Sequence, residues 1–351
     1  MGMTLHQIAA GVAPRDAISH HLLRSRELLR ANGYESEIYA EHIHPDLADV
    51  IRPATAIDPA PGAAAILHYS INSAAFDIAL RRFDRTALHY HNITPAGLLW
   101  RHAPHVARQC AVGRRDLGRF ATAVNHACAD SEFNALELRD LGASDVEAVG
   151  ILRRALEVGS VHTRDEPDPD APMLLFVGRG IPNKAQHDLI LAVAALHETG
   201  CAARLQMIGS WDAAPVYEQY CRGLCAELGI SDHVAFGGAM SDGALREAYR
   251  SADIFLCLSD HEGFCVPLLE ALDVGLPIIG FDAGAVAETL GDAGLILPTK
   301  EPSLVAEAVR AVAGDPALRR AMLAGAAGRL DNFAADAVGE RLLAFASRVV
   351  A

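Results

Sequence analysis

Lysine is almost missing from this chain. Arginine accounts for 28 of the 30 basic residues, and the two lysines are Lys184 and Lys300. Acidic residues number 44, so the formal net charge is −14. Such a balance argues against general nucleic-acid binding, because that role needs a positive surface facing the phosphate backbone. The rarity of lysine also makes a lysine within a motif more informative than an arginine there.

Long apolar runs are missing as well. No stretch reaches the roughly 18 apolar residues that predict a membrane span. The first residues, MGMTLHQIAAGVAP, lack the charged and apolar regions of a signal peptide. The seven cysteines are odd in number and lie mostly in apolar runs, which favours reduced core thiols over a disulfide framework. We therefore expect a cytoplasmic protein, with the inner face of the membrane as the alternative location.

Short apolar runs alternate with helical patterns along the 351 residues. This alternation predicts an α/β fold, with mostly parallel sheets covered by helices on both faces. The segment TRDEPDPDAP at 163–172 interrupts the alternation and has the composition of a linker. We predict two doubly wound domains, at 1–162 and 173–332, with the cleft between them as the ligand site. Strands are predicted at 5–9, 36–40, 63–69, 86–91, 126–130 and 146–151, and then at 173–178, 204–209, 233–237, 254–258, 277–281 and 294–297.

The second domain opens on a segment suited to binding an anion, LLFVGRGIPNKAQHDLI at 174–190. A glycine turn before a helix presents backbone N–H groups and the positive end of the helix dipole. Arg179 and Lys184 add two cations there. The segment matches neither GxxxxGK[ST] nor GxGxxG, which argues against ATPases and NAD enzymes. We interpret it as a diphosphate clamp; the alternative is an ordinary strand–helix turn with two solvated charges.

Two glutamates, Glu262 and Glu270, occur in the otherwise core-like segment SDHEGFCVPLLEALDVG at 259–275. Pro267 suits the first turn of a helix, which places Glu262 in the preceding loop and Glu270 about one turn into the helix. Carboxylates accept hydrogen bonds from hydroxyls, so this pair beside a diphosphate clamp suits a nucleotide sugar. The alternative is that Glu270 interacts with the helix dipole and Glu262 is solvated. Three backbone amides near the pair are expected to face the ligand: those of Gly263, Phe264 and Cys265.

Three segments in this order, FVGRGIPNKAQHDLI, SDHEGFCVPLLEALDVGLPII and FDAGAVAETLGDAGLIL, resemble the family 4 glycosyltransferases of GT-B fold. The resemblance covers residues 173–300. It implies two Rossmann-like domains facing across a cleft, with the C-terminal helix at 333–351 crossing back to the N-terminal domain. The first domain would then bind the acceptor and the second the nucleotide-sugar donor.

The resemblance also implies roles for single residues. Glu262 would contact the donor sugar, Glu270 the ribose, and Arg179 with Lys184 the diphosphate. Glu288 falls where the family commonly has a Pro-Glu pair, although Ala287 precedes it here.

The N-terminal half offers fewer candidates. In ALHYHNITPAGLL, His91 ends a predicted strand and resembles the family's histidine near the donor sugar, whereas His89 is expected in the core. Asn92 and Asp16 are candidate acceptor contacts. Asp16 lies in GVAPRDAIS, where the family has a glycine-rich loop.

The reaction implied by the resemblance is transfer of a hexose from UDP- or GDP-hexose to a glycan, lipid-linked or small-molecule acceptor, with retained anomeric configuration. Arg179 and Lys184 would stabilise the departing diphosphate, so no metal and no cofactor is expected. Together with Glu262 and His91 they form the expected catalytic set. Asp168 and Asp170 spell a DxD motif, but they lie in the linker segment and are read as part of it.

Three alternatives remain open from the sequence. The first is another GT-B enzyme, such as a nucleotide-sugar epimerase or a phosphorylase. The second is a non-catalytic nucleotide-sugar sensor, and the third is a peripheral membrane protein. The membrane alternative rests on arginines that can contact anionic lipid, although a solvated helix face is the favoured interpretation of any single pair. These are Arg81, Arg82, Arg85, Arg114, Arg115 and Arg119.

Overall fold

Two parallel β-sheets organise the chain in the computed structural model, which describes residues 3–154 and 167–351. The first sheet has the strand order β4-β3-β1-β5-β6-β7-β8, with β2 paired to β1. Its strands are β1 (Met3–Val12), β2 (Tyr34–Glu35), β3 (Ile38–Ile43), β4 (Arg52–Pro53), β5 (Ala64–Tyr69), β6 (Arg85–Tyr90), β7 (His126–Ala129) and β8 (Val146–Ala148). The helices along this part of the chain are α1 (Ala17–Ala31), α2 (Ala74–Arg82), α3 (Pro104–Ala123) and α4 (Glu132–Asp140).

The second sheet has the order β11-β10-β9-β12-β13-β14, and its strand pairs are also parallel. Its strands are β9 (Met173–Val177), β10 (Arg204–Ile208), β11 (Val234–Gly237), β12 (Ile254–Cys257), β13 (Ile278–Phe281) and β14 (Leu295–Leu297). The helices are α5 (Gln186–Glu198), α6 (Pro215–Glu227), α7 (Asp242–Ser251), α8 (Val266–Asp273), α9 (Val286–Leu290), α10 (Pro302–Gly314), α11 (Pro316–Leu323), α12 (Ala326–Asn332) and α13 (Ala335–Val350). Short 3-10 turns lie at Pro45–Leu47, Ala54–Ala56, Ala96–Leu98, Pro182–Lys184 and Ser231–His233.

The prediction of two doubly wound, Rossmann-like sheets is confirmed. Each of the twelve strand segments predicted from apolar runs overlaps an observed strand, and β2 and β4, two residues each, were not predicted. The runs were recognisable because strands buried on both faces are continuously apolar. In β5, for example, all six residues are buried.

Contacts divide the chain into two units that differ from the predicted domain boundaries. The first unit comprises Met1–Ile93, Gln109–Arg154 and Asp331–Ala351, and the second comprises Thr94–Arg108 and Ala155–Leu330. Thr94–Arg108 was expected in the N-terminal domain but groups with the second unit, because His102 lies against Tyr217 and Tyr220 of α6. Residues 163–166 of the predicted linker lie outside the described residues. Within its remainder, Asp168 accepts a hydrogen bond from the Asp170 amide, so the DxD sequence forms a surface turn.

The last helix, α13, belongs to the first unit, which confirms that the chain returns to its N-terminal half. Its buried face packs against residues of β1 and α1, including Leu5 and Leu29. Arg341 also donates to the carbonyl of Val149 at 2.9 Å. The residues that α13 contributes to this core are Val338, Leu342, Phe345, Ala346 and Val349.

Candidate active site

The candidate site of the second unit lies where the order of its strands reverses. Read along the chain, β9, β10 and β11 extend to one side, and β12 then pairs with β9 on the other side. Loops at the carboxyl ends of such neighbouring strands leave a crevice between them, which is the usual ligand site of this architecture. The segment after β9 carries Arg179 and Lys184, and the segment after β12 carries Glu262.

Lys184 and Glu262 form an ion pair at this point, although 78 positions separate them. The Lys184 Nζ donates to Glu262 Oε2 at 2.5 Å, and the side chains are 19 % and 6 % exposed. Burial alone would lower the pKa of Lys184, but the adjacent Glu262 carboxylate outweighs burial and raises that pKa above its usual value. Lys184 therefore stays charged at neutral pH. The structure thus brings together two of the residues predicted to hold the donor.

Backbone hydrogen bonds hold the two loops together around this pair. The Asp260 amide donates to the Asn183 carbonyl at 2.9 Å, and the Asn183 side chain donates to the His261 carbonyl at 3.3 Å. The loops are therefore positioned by main-chain contacts as well as by the ion pair. Arg179, the second predicted cation, is exposed and its side chain bonds to none of the described residues.

The FDAGAVAET segment supports Glu262 from the other side. The Ala285 amide donates to the Glu262 carbonyl at 2.8 Å. Gly284 has φ +59°, and a Cβ there would lie 2.2 Å from the Glu262 carbonyl oxygen, so only glycine fits. Thr289 donates to the Phe264 carbonyl at 2.5 Å, which fixes the next turn of the loop. Glu288, beside it on α9, is partly buried, and its charge acts on Arg329.

The glycine turn after β9 uses two of its N–H groups within the sheet. The amides of Gly178 and Gly180 donate to the carbonyls of Ile208 and Ser210 at 2.9 and 2.8 Å. The hydrogen-bond ladder between β9 and β10 thus continues into the turn. Gly180 is also needed for packing, because a Cβ there would lie 2.0 Å from the Trp211 ring. Contact of Arg179 and Lys184 with a diphosphate stays a prediction.

Glu270 lies on α8, in the position predicted from Pro267. The helix follows Cys265, whose φ of 72° turns the chain sharply before Val266. Glu270 is partly buried, and its Oε2 accepts a hydrogen bond at 2.7 Å from the hydroxyl of the buried Tyr249 on α7. Burial, reinforced by the Glu270 charge, raises the pKa of Tyr249, so this hydroxyl remains a donor. The carboxylate is thus held in one orientation.

Lys300 is a site residue that sequence reasoning missed. It pairs with Asp188 at 2.5 Å and also with Asp260. Burial lowers its pKa, but the two carboxylates outweigh burial and raise it. Both lysines of the chain therefore bind carboxylates at this edge of the sheet. The rarity of lysine was the signal that could have identified Lys300.

A cavity of about 210 Å³ lies beside these loops within the second unit. Its wall includes a stacked pair, with the His102 and Tyr220 ring centroids 4.9 Å apart. Arg101 lies over the Tyr220 ring at 5.9 Å. An aromatic wall with a cation beside it suits a polar ring-shaped ligand. The lining consists of Leu98, Arg101, His102, Pro182, His187, Tyr217, Tyr220 and Asp260.

His91, in the first unit, is not exposed at the end of its strand. The side chains of both His89 and His91 are fully buried. His89 therefore lies in the core as expected, and the donor contact of His91 stays a prediction. Both rings bond to one carboxylate: His91 Nδ1 and His89 Nε2 lie 2.9 and 2.8 Å from Asp130 Oδ1. The other nitrogen of His91 lies 2.9 Å from Nδ1 of His68. Both ring nitrogens of His91 are therefore occupied.

The two candidate acceptor residues have structural contacts. Asn92 is buried with φ 69°, and its side chain donates to Asn134 at 2.7 Å. Asp16 caps α1, since its carboxylate accepts from the amide and the hydroxyl of Ser19, both at 2.9 Å. This capping role was overlooked, although Asp directly before a helical pattern is a typical signal. Neither contact tests acceptor binding, which stays a prediction for both residues.

Most of the arginines considered for lipid binding have acidic partners. Arg119 bonds to Asp77 at 2.7 Å, Arg115 bonds to Asp116 at 2.8 Å, and Arg114 pairs with Glu137. These pairs reduce the positive charge available to anionic lipid. Across the described residues, no helix has both the length and the apolar character required to cross a bilayer. Membrane docking stays a prediction.

These features define a protein of GT-B fold, with two Rossmann-like units and polar residues at the carboxyl ends of the strands. Sucrose-phosphate synthase from Thermosynechococcus elongatus superposes with a TM-score of 0.78 at 17 % identity, over 99 % of this chain and 98 % of that one. Anabaena Alr3699/HepE, solved in complex with UDP and glucose, gives a TM-score of 0.74 at 15 % identity, over 99 % and 100 % of the two chains. At these identities the likeness establishes the fold alone.

The sequence comparison confirms the resemblance. Residues 162–329 match the model of "Glycosyl transferases group 1". A D-inositol 3-phosphate glycosyltransferase of Actinosynnema mirum is 32 % identical over 234 residues, covering 62 % of this chain and 55 % of the relative. A GDP-mannose-dependent alpha-(1-6)-phosphatidylinositol monomannoside mannosyltransferase of Mycobacterium tuberculosis is 30 % identical over 169 residues, or 46 % and 42 %. The chain spans about half the length of the curated relatives it matches.

Proposed function

We propose that this protein transfers a hexose from a nucleoside-diphosphate sugar to a hydroxyl of its acceptor, with retained anomeric configuration. The observation that carries the proposal is the Lys184–Glu262 ion pair at the strand reversal of the second sheet. The pair supports the proposal because an ammonium group suits a diphosphate and a carboxylate suits sugar hydroxyls.

In the proposed reaction, the bond between the anomeric carbon and the diphosphate oxygen breaks as the acceptor oxygen bonds to the same carbon. The acceptor proton passes to the departing diphosphate on that face of the sugar, and the products are a glycoside and a nucleoside diphosphate. The leaving group gains negative charge, so a fixed cation beside it lowers the barrier. Lys184 is that cation, with Arg179 as a second one.

The ion pair does not prevent Lys184 from binding phosphate. An ammonium group has three N–H donors, and Glu262 takes one of them. The remaining donors can reach phosphate oxygens while the pair persists. Glu262 bonds to Lys184 through Oε2, which leaves Oε1 for a sugar hydroxyl. The pair would thus hold the diphosphate and the sugar in a fixed relation, with the amides of Gly263, Phe264 and Cys265 in the adjoining loop.

Glu270 is the proposed ribose contact. The hydroxyl of Tyr249 orients its carboxylate through Oε2. A carboxylate oriented in this way can accept hydrogen bonds from both ribose hydroxyls, which favours UDP or GDP over dTDP, because dTDP lacks the 2′-hydroxyl.

Leaving-group stabilisation by Lys184 and Arg179 would make a divalent ion at the diphosphate unnecessary, so we propose metal-independent transfer. A role for His91 at the donor stays a prediction. That role would require the hydrogen bond between His91 Nε2 and His68 Nδ1 to be replaced by one to a sugar hydroxyl.

The cavity lined by His102, Tyr217 and Tyr220 is the proposed acceptor subsite. Tyrosine rings suit the apolar face of a cyclic polyol, and Arg101 suits an anionic substituent. Inositol compounds figure in the names of both relatives described above. Among the acceptors expected from the sequence, we therefore favour a small phosphorylated polyol.

The test is a product assay with the purified chain, UDP- and GDP-hexoses, and inositol phosphates as acceptors, with or without added Mg²⁺. We expect a new glycoside whose anomeric configuration, read by NMR, matches that of the donor, at a rate that Mg²⁺ does not raise. Epimerised donor without a glycoside would support the epimerase instead. Inverted configuration, or an absolute need for Mg²⁺, would contradict the mechanism. Tyr220→Ala should raise the KM for the acceptor and leave the KM for the donor unchanged.

A further inference from the structure

Four buried histidines converge in the first unit. They come from α1 (His21), β5 (His68), β6 (His89) and the residue after β6 (His91). Each ring offers one nitrogen, and these four nitrogens all lie within 4.8 Å of one another. All four residues are buried. The parallel register of the sheet produces part of this cluster, since His68 pairs with His89 across β5 and β6.

Two ring nitrogens of this histidine cluster are buried without a hydrogen-bond partner among the described residues: His68 Nε2 and His89 Nδ1. A buried polar atom without a partner costs free energy, so a hydrogen-bonding group or a metal ion at these two nitrogens would stabilise the cluster. A second feature is the buried Asp130 carboxylate, to which His89 and His91 bond. Buried carboxylates are normally balanced by a positive charge.

The bonding pattern indicates which nitrogens carry lone pairs. Asp130 accepts from His89 Nε2 and His91 Nδ1, so these nitrogens are protonated, while His89 Nδ1 and His91 Nε2 are not. His68 faces His91 Nε2 through its Nδ1. His21 differs, because its Nδ1 accepts from the Leu152 amide at 2.9 Å, and the neutral ring then carries its proton on Nε2.

We propose that His68, His89 and His91 bind a divalent transition-metal ion of the zinc type, with His21 closing one side of the site. Imidazole nitrogens are ligands that Zn²⁺ prefers, and three of them are a common ligand set. Asp130 supplies the carboxylate that metal-bound histidines usually contact through their other nitrogen. The cation would balance the Asp130 charge, take up the orphaned lone pair of His89 and replace the hydrogen bond between His68 and His91. The inference uses none of the donor residues proposed in the second unit, and it would give His91 a structural task in place of the donor contact predicted for it.

The chain has another group with suitable ligands, Cys257, Glu262 and Cys265. It is less suited, because Glu262 is bonded to Lys184 and the two thiols contact each other at 4.0 Å.

The experiment begins with the folded wild-type chain, stripped of metal and titrated with Zn²⁺ and with Co²⁺. We expect one ion per chain, a rise in melting temperature by mass action, and a Co²⁺ spectrum of nitrogen ligands without a thiolate band. X-ray absorption at the zinc edge should show imidazole scattering and no sulfur. Folded wild type that binds neither ion, or that binds it through sulfur, would overturn the proposal.

Variants then locate the ion. His89→Gln retains a side-chain N–H for Asp130 but removes the Nδ1 ligand, so it should abolish stoichiometric binding. Asp130→Asn should weaken binding roughly 10- to 100-fold, as carboxylate partners of metal-bound histidines do. The controls are His6→Asn, a buried histidine of the same unit outside the cluster, and Cys265→Ser, and both should bind like wild type. Binding that survives in folded His89→Gln, or that is lost in Cys265→Ser, would contradict the assignment. If His89→Gln does not fold, the absorption spectrum of wild type decides the question.

Discussion

Both units carry polar groups near the carboxyl ends of parallel strands, but they use them differently. In the second unit, Lys184 and Glu262 lie beyond the carboxyl ends of β9 and β12 as a charged pair with partial access to solvent. In the first unit, the ends of β5 and β6 carry buried imidazoles around Asp130. The side chains, and not the architecture, decide the chemistry at each place. A charged pair with access to solvent suits a substrate that binds and leaves, whereas a buried histidine cluster suits the permanently bound ion proposed above.

The largest expected effect separates the stability of the two units. Phe345 of α13 is fully buried in the core of the first unit. Phe345→Ala should lower the free energy of unfolding of that unit by about 3–5 kcal/mol, because it leaves a cavity. Thermal unfolding should show this loss, while nucleoside-diphosphate binding at temperatures below the transition stays unchanged. Loss of nucleotide binding in the folded variant would mean that the donor site depends on the first unit's core.

The next effect concerns the ion pair. Lys184→Met leaves a buried carboxylate without its partner. It should lower the free energy of unfolding by up to about 3–5 kcal/mol, and by less if water still reaches the carboxylate. Lys184→Met combined with Glu262→Gln should recover most of that stability without recovering transfer activity. Chemical denaturation and a product assay on the two single variants and the double variant measure both quantities. Recovered activity in the double variant would show that the pair serves only the fold.

The pH dependence of stability sharpens the same contrast. The pKa of Lys184 is higher in the folded chain than in the unfolded chain. The pair's contribution is therefore complete below the unfolded pKa of about 10.4 and is lost as pH rises through the folded value. Denaturation between neutral and alkaline pH should show this loss in wild type and a flatter profile in the Lys184→Met, Glu262→Gln variant. Equal slopes in the two proteins would contradict the assignment.

A smaller effect distinguishes two roles of Asp16. If Asp16 acts only as a helix cap, Asp16→Ala should lower the free energy of unfolding by about 1 kcal/mol. Asp16→Asn should leave it nearly unchanged, because Asn caps equally well. If Asp16 also contacts the acceptor through its charge, Asp16→Asn should raise the KM for the acceptor without changing stability. Steady-state kinetics of the two variants, beside their melting temperatures, separate capping from acceptor binding. Unchanged kinetics in both would remove Asp16 from the acceptor site.

The fold and part of the site could be predicted because their signals are local. Apolar runs predicted the strands. Lys184 and Glu262 each follow a strand of the same sheet, which predicted that their side chains lie close together. The histidine cluster could not be predicted, because it depends on the register that sets His68 beside His89 and on a helix residue 47 positions earlier. The packing role of Gly180 could not be predicted for a related reason. Gly180 is required by Trp211, a contact between segments that no local pattern reveals.

The most direct measurement of the central claim is calorimetry of UDP and GDP, and of the matching nucleotide hexoses, on wild type, Lys184→Met, Glu262→Gln and Glu270→Ala, each shown to be folded. Lys184→Met should weaken binding of both ligand types by about 1.5–3 kcal/mol, the usual range for a lost bond to a charged group. Glu270→Ala should weaken both types as well, because both carry the ribose. Glu262→Gln should bind the free diphosphate nearly as wild type does and lose affinity mainly for the sugar-bearing donor. Wild-type affinity of folded Lys184→Met for both ligand types would contradict the account.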